Sequence, residues 1–173
     1  MAEPKKSEID LRYTEAGDLP YLIKWLNDPE TIVWFPIKTQ KEIEESARNW
    51  IGFSKYKSSL TALNEKNEVC GIATLFLMPY KKVAHHALIY FIIGRPFLNK
   101  GVGTTLMKNI LHLARNYFSL EHVHIEVYEG CPILKLLEKF DFQILARQQH
   151  FVKDENHYKT RILLGHFFDG KTD

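Results

Sequence analysis

Cysteine is scarce in this chain of 173 residues, which contains only Cys70 and Cys131. The two lie far apart in the sequence, so they give neither the ligand spacing of a zinc site nor the framework of a disulfide-rich domain. Such usage is typical of proteins in a reducing compartment. We therefore expect a cytoplasmic protein.

Long apolar runs are also missing. The longest extends from Ala87 to Ile93 and ends at Gly94, whereas a membrane-spanning helix needs about 20 apolar residues. We expect a buried strand at this run and no membrane partner. Residues 1–8 hold no apolar stretch, so they do not have the pattern of a secretory signal. They are predicted to form a flexible leader.

Neither sign of charge dominates the chain. Its 23 basic and 21 acidic side chains leave a formal net charge of +2, without the basic stripe or tail that nucleic-acid binders usually carry. We therefore expect no nucleic-acid partner.

The composition is that of a folded domain, because 45% of the residues are hydrophobic and 13% are aromatic. The length suits one domain. We place it at residues 9–169, between the leader and a polar tail at residues 170–173, and we expect a monomer or a homodimer.

The hydrophobic pattern predicts an α+β chain with hairpins at both ends and a β-α-β-α unit in the middle. Asp18 is predicted to cap the first helix, and Thr39 and Glu42 form a capping box at the second. The predicted elements are a strand near residues 11–13, helices from residues 19 and 39, a hairpin of strands 59–64 and 68–77, a central strand 85–93, a helix 101–118 with an apolar stripe from Val102 to Tyr117, a strand 122–127, a helix from Pro132, and a final hairpin of strands 142–152 and 158–167.

The most informative segment is the turn between the central strand and the helix that follows. Gly101 and Gly103 flank the helix start, Lys100 precedes it, and no Ser, Thr, Asp or Asn stands directly before Val102 to cap it. The first backbone N–H groups of such a helix are free to bind a phosphate, and glycine lets the anion approach. A Gly-x-Gly turn alone is equally compatible with a plain tight turn. The spacing excludes a P-loop, and leucine at residue 106 excludes the Gly-x-Gly-x-x-Gly pattern.

The order and lengths of the predicted strands and helices, together with this turn, resemble the GNAT superfamily of acyl-CoA-dependent N-acetyltransferases. The resemblance extends over about Ile9 to Phe168. The most specific match is to the family's pyrophosphate loop, Gln/Arg-x-x-Gly-x-Gly/Ala, by Leu98-Asn99-Lys100-Gly101-Val102-Gly103. The run Leu-Leu-Glu-Lys-Phe-Asp-Phe at 136–142 is similar to the family's Leu-Tyr-Glu-Lys-x-Gly-Phe helix end. The final hairpin and the region of Trp34 resemble the ribosomal-protein and polyamine acetyltransferase branch.

The resemblance implies a mixed, mostly antiparallel central sheet flanked by helices, with the β-α-β-α unit as the cofactor-binding core. It implies acetyl-CoA as cosubstrate and a primary amine as acceptor: a small-molecule amine, a polyamine or a protein N-terminus. The pantetheine arm would lie between the splayed strands 85–93 and 122–127. The residues implied to bind the coenzyme are Phe91, Ile92, Ile93, Leu98, Asn99, Lys100, Gly101, Val102, Gly103 and Thr104.

Several side chains that the family uses for proton transfer are absent. The tyrosine that often protonates the thiolate corresponds to Leu137, and the acidic residue of the central strand corresponds to Leu88. The asparagine at the start of the later helix corresponds to Gly130 or Cys131, and the first position of the loop motif is Leu98. These differences leave an alternative open: a coenzyme A-binding sensor or interaction module with weakened catalysis.

His86 and Tyr128 are the candidate replacements. His86 shares a strand face with Leu88 and Tyr90, so its imidazole is a candidate base, with a surface histidine as the plainer interpretation. Tyr128 follows the second splayed strand and is a candidate acid, with simple packing as the alternative.

Two further groups have a plain interpretation beside a functional one. Trp34, Phe35 and Tyr90 are expected to line the acceptor pocket, although most aromatic residues of this region belong to the core. His122, His124 and Glu126 alternate along one strand like metal ligands, but no second cluster lies nearby in the sequence. A solvated face is the better interpretation, and no metal is predicted.

Overall fold

A seven-stranded sheet organises the computed structural model, which describes residues 8–168. Residues 1–7 of the predicted leader and the predicted tail at 170–173 lie outside the described residues, so the domain limits stay predictions. The strands are β1 (Asp10–Tyr13), β2 (Ser59–Leu63), β3 (Val69–Leu77), β4 (His86–Ile93), β5 (His122–Tyr128), β6 (Gln143–Asp154) and β7 (His157–Phe167).

The sheet is mixed and mostly antiparallel, as predicted. Its order is β1-β2-β3-β4-β5-β7-β6. Neighbouring strands run antiparallel except for β4 and β5, which are parallel. The parallel pair requires a crossover between its strands, and the chain from 94 to 121 supplies it.

Five α-helices accompany the sheet in the described chain. They are α1 (Leu19–Leu26), α2 (Pro29–Ile32), α3 (Gln40–Gly52), α4 (Val102–His112) and α5 (Ile133–Lys139). The predicted capping box is confirmed: Thr39 Oγ1 accepts a hydrogen bond from the Glu42 N–H at 3.3 Å, and the Glu42 carboxylate accepts one from the Thr39 N–H at 2.7 Å. Because both exposed backbone donors are satisfied, α3 begins where the sequence predicts.

The capping role predicted for Asp18 is wrong for α1, since its side chain makes no hydrogen bond to the start of that helix. The carboxylate instead accepts two hydrogen bonds from Arg12, each 2.8 Å long, and one from the Thr61 hydroxyl at 2.9 Å. A guanidinium offers two parallel donors to a carboxylate. Asp18 therefore fastens the start of α1 to β1 and β2.

The helices form two layers, one on each face of the sheet. One core cluster joins α1 and α3 to β3 and β4 through Leu22, Trp25, Trp50, Ile72 and Ile92. The other cluster joins α4 and α5 to the opposite face through Leu106, Ile110, Ile89, Val123 and Leu137. Each strand is thus covered on both sides at the centre of the sheet, as the apolar run of β4 predicts.

The strands β4 and β5 separate soon after they meet. Their parallel register covers only His86–Leu88 of β4 and His122–His124 of β5 within the described chain. Beyond this point β4 stays paired with β3, and β5 stays paired with β7. The result is a slot between the two strands that is closed at the His86 end and open toward the start of α4.

Within residues 8–168, no helix combines the length and the apolar character needed to cross a bilayer.

Candidate active site

The mouth of the slot is formed by the turn that leads from β4 into α4. Gly101 stands directly before the helix with φ at +83°, a conformation that favours glycine. Among the described residues no side chain hydrogen-bonds to the N-terminus of α4. The first N–H groups of this helix, from Val102 onward, therefore remain available as donors, and the helix dipole adds positive potential beside them.

Gly103 brings the first turn of α4 close to β4 and α5. A Cβ placed at this residue would lie 3.1 Å from Ile93 Cδ1 and 3.3 Å from Leu136 Cδ2. The absence of a side chain thus permits the close packing of helix and strand. Arg95, in the same turn, is held by Asp28 at 2.8 Å and Glu30 at 3.0 Å.

The residues predicted to bind a coenzyme differ in what they expose. The side chains of Ile92 and Val102 are buried in the core, so only their backbone faces the slot or the loop. Phe91, Ile93, Gly103 and Thr104 are half-buried, whereas Leu98, Asn99, Lys100 and Gly101 are exposed. A backbone-lined site with one exposed cation, Lys100, is the type of site that binds phosphate.

Three histidines meet at the closed end of the slot. His86 lies directly opposite His122 in the parallel register, and their stacked rings have centres 4.8 Å apart. The ring of His124 is 5.1 Å from that of His86. One ring nitrogen from each histidine lies within 4.8 Å of the other two. The group therefore offers three imidazole nitrogens, which are common metal ligands, at separations near those found around a bound metal ion.

The solvated face predicted for the second strand is wrong for its histidines. His122 and His124 are half-buried, as is His86, and only Glu126 of this face is exposed, with an ion pair of 2.7 Å to Arg161. The Nδ1 atom of His86 is buried and has no hydrogen-bond partner within residues 8–168. The sequence does not reveal the cluster, because His86 and His122 belong to strands whose register is set only in the folded sheet.

Burial lowers the pKa of each of the three imidazoles. In His86 the next cause is the neighbouring charge of His85, and in His122 it is the charge of His86. Burial together with the other two histidines lowers the pKa of His124 to about 4. The cluster is therefore neutral near pH 7, the form in which imidazole accepts a proton.

Tyr128 lies at the end of β5, on the strand face of the histidines. Its side chain is only 4% exposed, and its hydroxyl has no hydrogen-bond partner in the described part of the chain. Burial, with a smaller contribution from the charge of Glu126, raises the pKa of Tyr128 to about 12. The hydroxyl is thus a protonated, unpaired donor, as a candidate acid must be.

The aromatic residues predicted for the acceptor pocket lie on the same face of the sheet. Phe35 packs on Trp50 at 6.2 Å between ring centres, and Trp50 packs on Tyr90 at 5.2 Å. Trp34 stands apart from this stack and lies beneath the ammonium of Lys159. Phe35 and Tyr90 therefore belong partly to the core, while Trp34 and Tyr128 both lie near the ammonium of Lys159.

The positions that carry family proton donors offer none here. Leu137 is 0% exposed and packs within the core beneath α4. Cys131 is half-buried, and burial raises the pKa of its thiol, so it is a poor nucleophile. The remaining candidates for proton transfer among the described residues are therefore the histidines of the cluster and Tyr128.

Comparison with known proteins agrees with this architecture. A sequence model described as the acetyltransferase (GNAT) family matches residues 19–142, which is more than half of the chain. An N-alpha-acetyltransferase of Sulfolobus acidocaldarius is 29% identical over 68 residues, which are 39% of this chain and 40% of that protein. The match thus spans less than half the length of this relative.

Two solved structures show the same fold. The ribosomal-protein-alanine N-acetyltransferase of Brucella melitensis superposes with a TM-score of 0.76 at 16% identity and covers 91% of this chain and 99% of its own. The protein yncA of Salmonella typhimurium, in a structure with its cofactor acetyl-CoA, superposes with a TM-score of 0.77 at 12% identity. The match covers 95% of this chain and 96% of that protein. The family match over residues 19–142, together with the shared fold, shows that this chain belongs to the acetyltransferase (GNAT) family.

Proposed function

We propose that this protein transfers the acetyl group of acetyl-CoA directly to a primary amine. The observation that carries the proposal is the separation of β4 from β5 beyond Leu88 and His124. It creates a passage from the free N–H groups of α4 to the face that holds His86 and Tyr128.

The residues at the mouth and along the slot fit coenzyme A. The N–H groups at the start of α4 and the ammonium of Lys100 suit its diphosphate. Backbone N–H and C=O groups of Phe91–Ile93 that point toward β5 lack a strand partner on that side within the described chain. They suit the two amides of the pantetheine arm, since such groups need hydrogen-bond partners.

The bound coenzyme supplies an acetyl thioester. In the transfer, a C–N bond forms between the amine and the carbonyl carbon, the C–S bond breaks, the amine loses a proton and the thiolate gains one. A backbone N–H of β4 polarises the carbonyl oxygen. His86 takes the proton from the amine, with His124 beside it, and Tyr128 donates a proton to the thiolate.

The acceptor belongs to one of three classes: a small-molecule amine, a polyamine or a protein N-terminus. One similar protein is named an N-alpha-acetyltransferase, and another is named a ribosomal-protein-alanine N-acetyltransferase. We therefore place a protein N-terminus first. The side chains of Trp34, Phe35 and Tyr90 form the wall along which it enters. The cytoplasmic location and the monomer or homodimer stay predictions, and the cysteines are both free thiols.

The test is acetyl-CoA turnover, followed through free thiol, with N-terminal peptides, polyamines and small amines as acceptors. We expect turnover with at least one acceptor. His86→Gln should lower kcat about 100-fold or more, the range of general base catalysis, with the affinity for coenzyme A unchanged. His112→Gln, which removes an exposed imidazole from α4, is the matched control and should keep the wild-type rate. Binding of coenzyme A without turnover of any acceptor would favour the sensor module instead.

A further inference from the structure

The histidine cluster at the closed end of the slot has a property that acetyl transfer does not require. Two of its members, His122 and His124, alternate on β5 and so present their rings on one face. His86 faces them from the adjacent strand, directly opposite His122. Three imidazoles thus converge from two paired strands, a rigid support for a ligand set.

The spacing of the nitrogens is close to that of a bound metal. One nitrogen of each ring lies within 4.8 Å of the others. A tetrahedral zinc ion with Zn–N bonds of about 2.0–2.1 Å holds its ligand nitrogens roughly 3.4 Å apart. The three nitrogens must therefore approach one another when the ion binds, while the register that places His86 opposite His122 stays fixed.

An unsatisfied polar atom gives a second, independent observation. The Nδ1 of His86 is buried without a hydrogen-bond partner in the described residues, and a buried polar group in this state costs free energy. Around it stand the rings of His122 and His124, with the exposed His85 at 5.0 Å from His86 and 5.5 Å from His122 between ring centres. A cation among these nitrogens would satisfy them together.

We propose that His86, His122 and His124 form a binding site for a divalent transition metal ion, with zinc as the expected ion. Three histidines with a fourth position open to water are a known donor set of zinc. Imidazole nitrogens also suit cobalt, nickel and copper, whereas magnesium and calcium require oxygen ligands. The exposed His85 lies beside the cluster but is not one of the three residues whose nitrogens lie within 4.8 Å of one another, so water takes the fourth position.

The site has a consequence for catalysis that rests on the proposed function. The base assigned to acetyl transfer, His86, is one of the three ligands. An imidazole that holds zinc through its free nitrogen cannot accept a proton from the amine. The ion therefore inhibits acetyl transfer, and a chelator restores it.

Metal binding is measured without acetyl-CoA, on protein that carries no histidine tag. Calorimetric titration with zinc chloride should show one ion per chain. Cobalt(II) should give the intense visible absorption of a four-coordinate ion. His86→Gln, His122→Gln and His124→Gln should each weaken zinc binding at least about tenfold, since even indirect partners of a metal site have effects of that size. His112→Gln removes a histidine outside the cluster and should bind zinc like the wild type.

Each outcome decides one part of the proposal. The melting temperature of the metal-free variants shows which of them fold, and any one folded variant of the three is sufficient. Zinc binding that the cluster variants retain, or that His112→Gln loses equally, would overturn the site. So would titration without bound zinc. Zinc binding at the cluster without loss of turnover would uphold the metal site and remove His86 from the proposed chemistry.

Discussion

The ammonium of Lys159 lies 5.5 Å from the ring centre of Trp34. The same group is 5.9 Å from the ring centre of Tyr128 and donates a hydrogen bond to the carbonyl of Val33. One half-buried cation on β7 thus joins the segment between α2 and α3 to the candidate acid. The neighbouring Arg161 is paired with Glu126, so Lys159 sets the charge of this part of the proposed acceptor wall.

This position predicts an effect of Lys159 on acceptor choice. Lys159→Met keeps the apolar stem and removes the charge, so KM should fall for a polyamine and rise for an acceptor that carries a carboxylate. Changes of about three- to tenfold are expected from a single charge near the protein surface. The comparison is made by steady-state kinetics with one acceptor of each type.

A matched control is Lys153→Met, which removes a lysine placed 5.8 Å from the ring centre of Tyr158 on the exposed hairpin. It should leave both KM values unchanged. Equal KM values for Lys159→Met and the wild type with both acceptors would mean that the acceptor binds away from Trp34.

Tyr128→Phe tests the proton donor. The variant should lower kcat about 100-fold, because only the hydroxyl is removed from a well-packed ring. Coenzyme A affinity should stay the same. Since the pKa of Tyr128 is raised to about 12, the wild-type hydroxyl is protonated between pH 6 and 9, and the loss should be equally large throughout that interval.

The control for this variant is Tyr158→Phe, which removes an exposed hydroxyl from β7. It should turn over like the wild type. A Tyr128→Phe enzyme with the wild-type rate would assign Tyr128 to packing, and the thiolate would take its proton from water.

Local patterns predict most of the fold because they depend on neighbours in the sequence. The capping box at Thr39, the turn that joins β2 to β3 and the alternation of β5 are confirmed by the structure. The family resemblance adds the separation of β4 from β5, which the register shows.

Features that depend on contacts between distant segments, or on a change of helix type, are missed. The stripe predicted from Val102 to Tyr117 fails at its end, and Tyr117 is 61% exposed. Residues 113–117 form a π-helical turn in which the Phe118 N–H bonds to the Leu113 carbonyl, so the chain loses the 3.6-residue period. The histidine cluster is missed for another reason, since its third member comes from a different strand.

The lowered pKa of the Asp18 carboxyl predicts how the stability of the protein depends on pH. Burial alone would raise the pKa of this carboxyl, but the hydrogen bonds from Arg12, the Glu15 N–H and Thr61 outweigh it and lower the pKa. A carboxyl with a lowered folded-state pKa stabilises the protein above its unfolded pKa of about 3.8. This contribution is lost as the pH falls below that value, through the lowered folded-state pKa.

The variant Asp18→Asn should therefore cost about 1–3 kcal/mol near pH 7, because it leaves the Arg12 guanidinium without its charged partner. Its free energy of unfolding should fall less steeply than the wild type's below pH 4. Chemical denaturation over a pH series measures both. Asp154→Asn breaks the exposed ion pair with Lys38 and should change stability little; an equal loss in the two variants would contradict the role of burial.

The start of α4 allows the phosphate site to be tested with two variants that differ only in charge. Gly103 is unsuited to this, because a side chain there would press on Ile93 and Leu136. A Cβ added at Gly101 would meet no atom within 4 Å apart from its neighbours along the chain. The positive φ strains any side chain there, and asparagine and aspartate tolerate it better than most residues. Asn99 already adopts φ of +59° in the same loop.

Gly101→Asn and Gly101→Asp should both fold, and the aspartate should favour the helix start through the dipole. The two should differ in ligand binding, because the carboxylate occupies the amides that the diphosphate needs and repels its charge. We expect Gly101→Asp to weaken coenzyme A binding at least about tenfold relative to Gly101→Asn, given about 1.4 kcal/mol for each factor of ten. The increase in melting temperature with coenzyme A measures this. Equal increases in the two folded variants would place the diphosphate away from α4, and the fit of coenzyme A to the slot would then fail at its mouth.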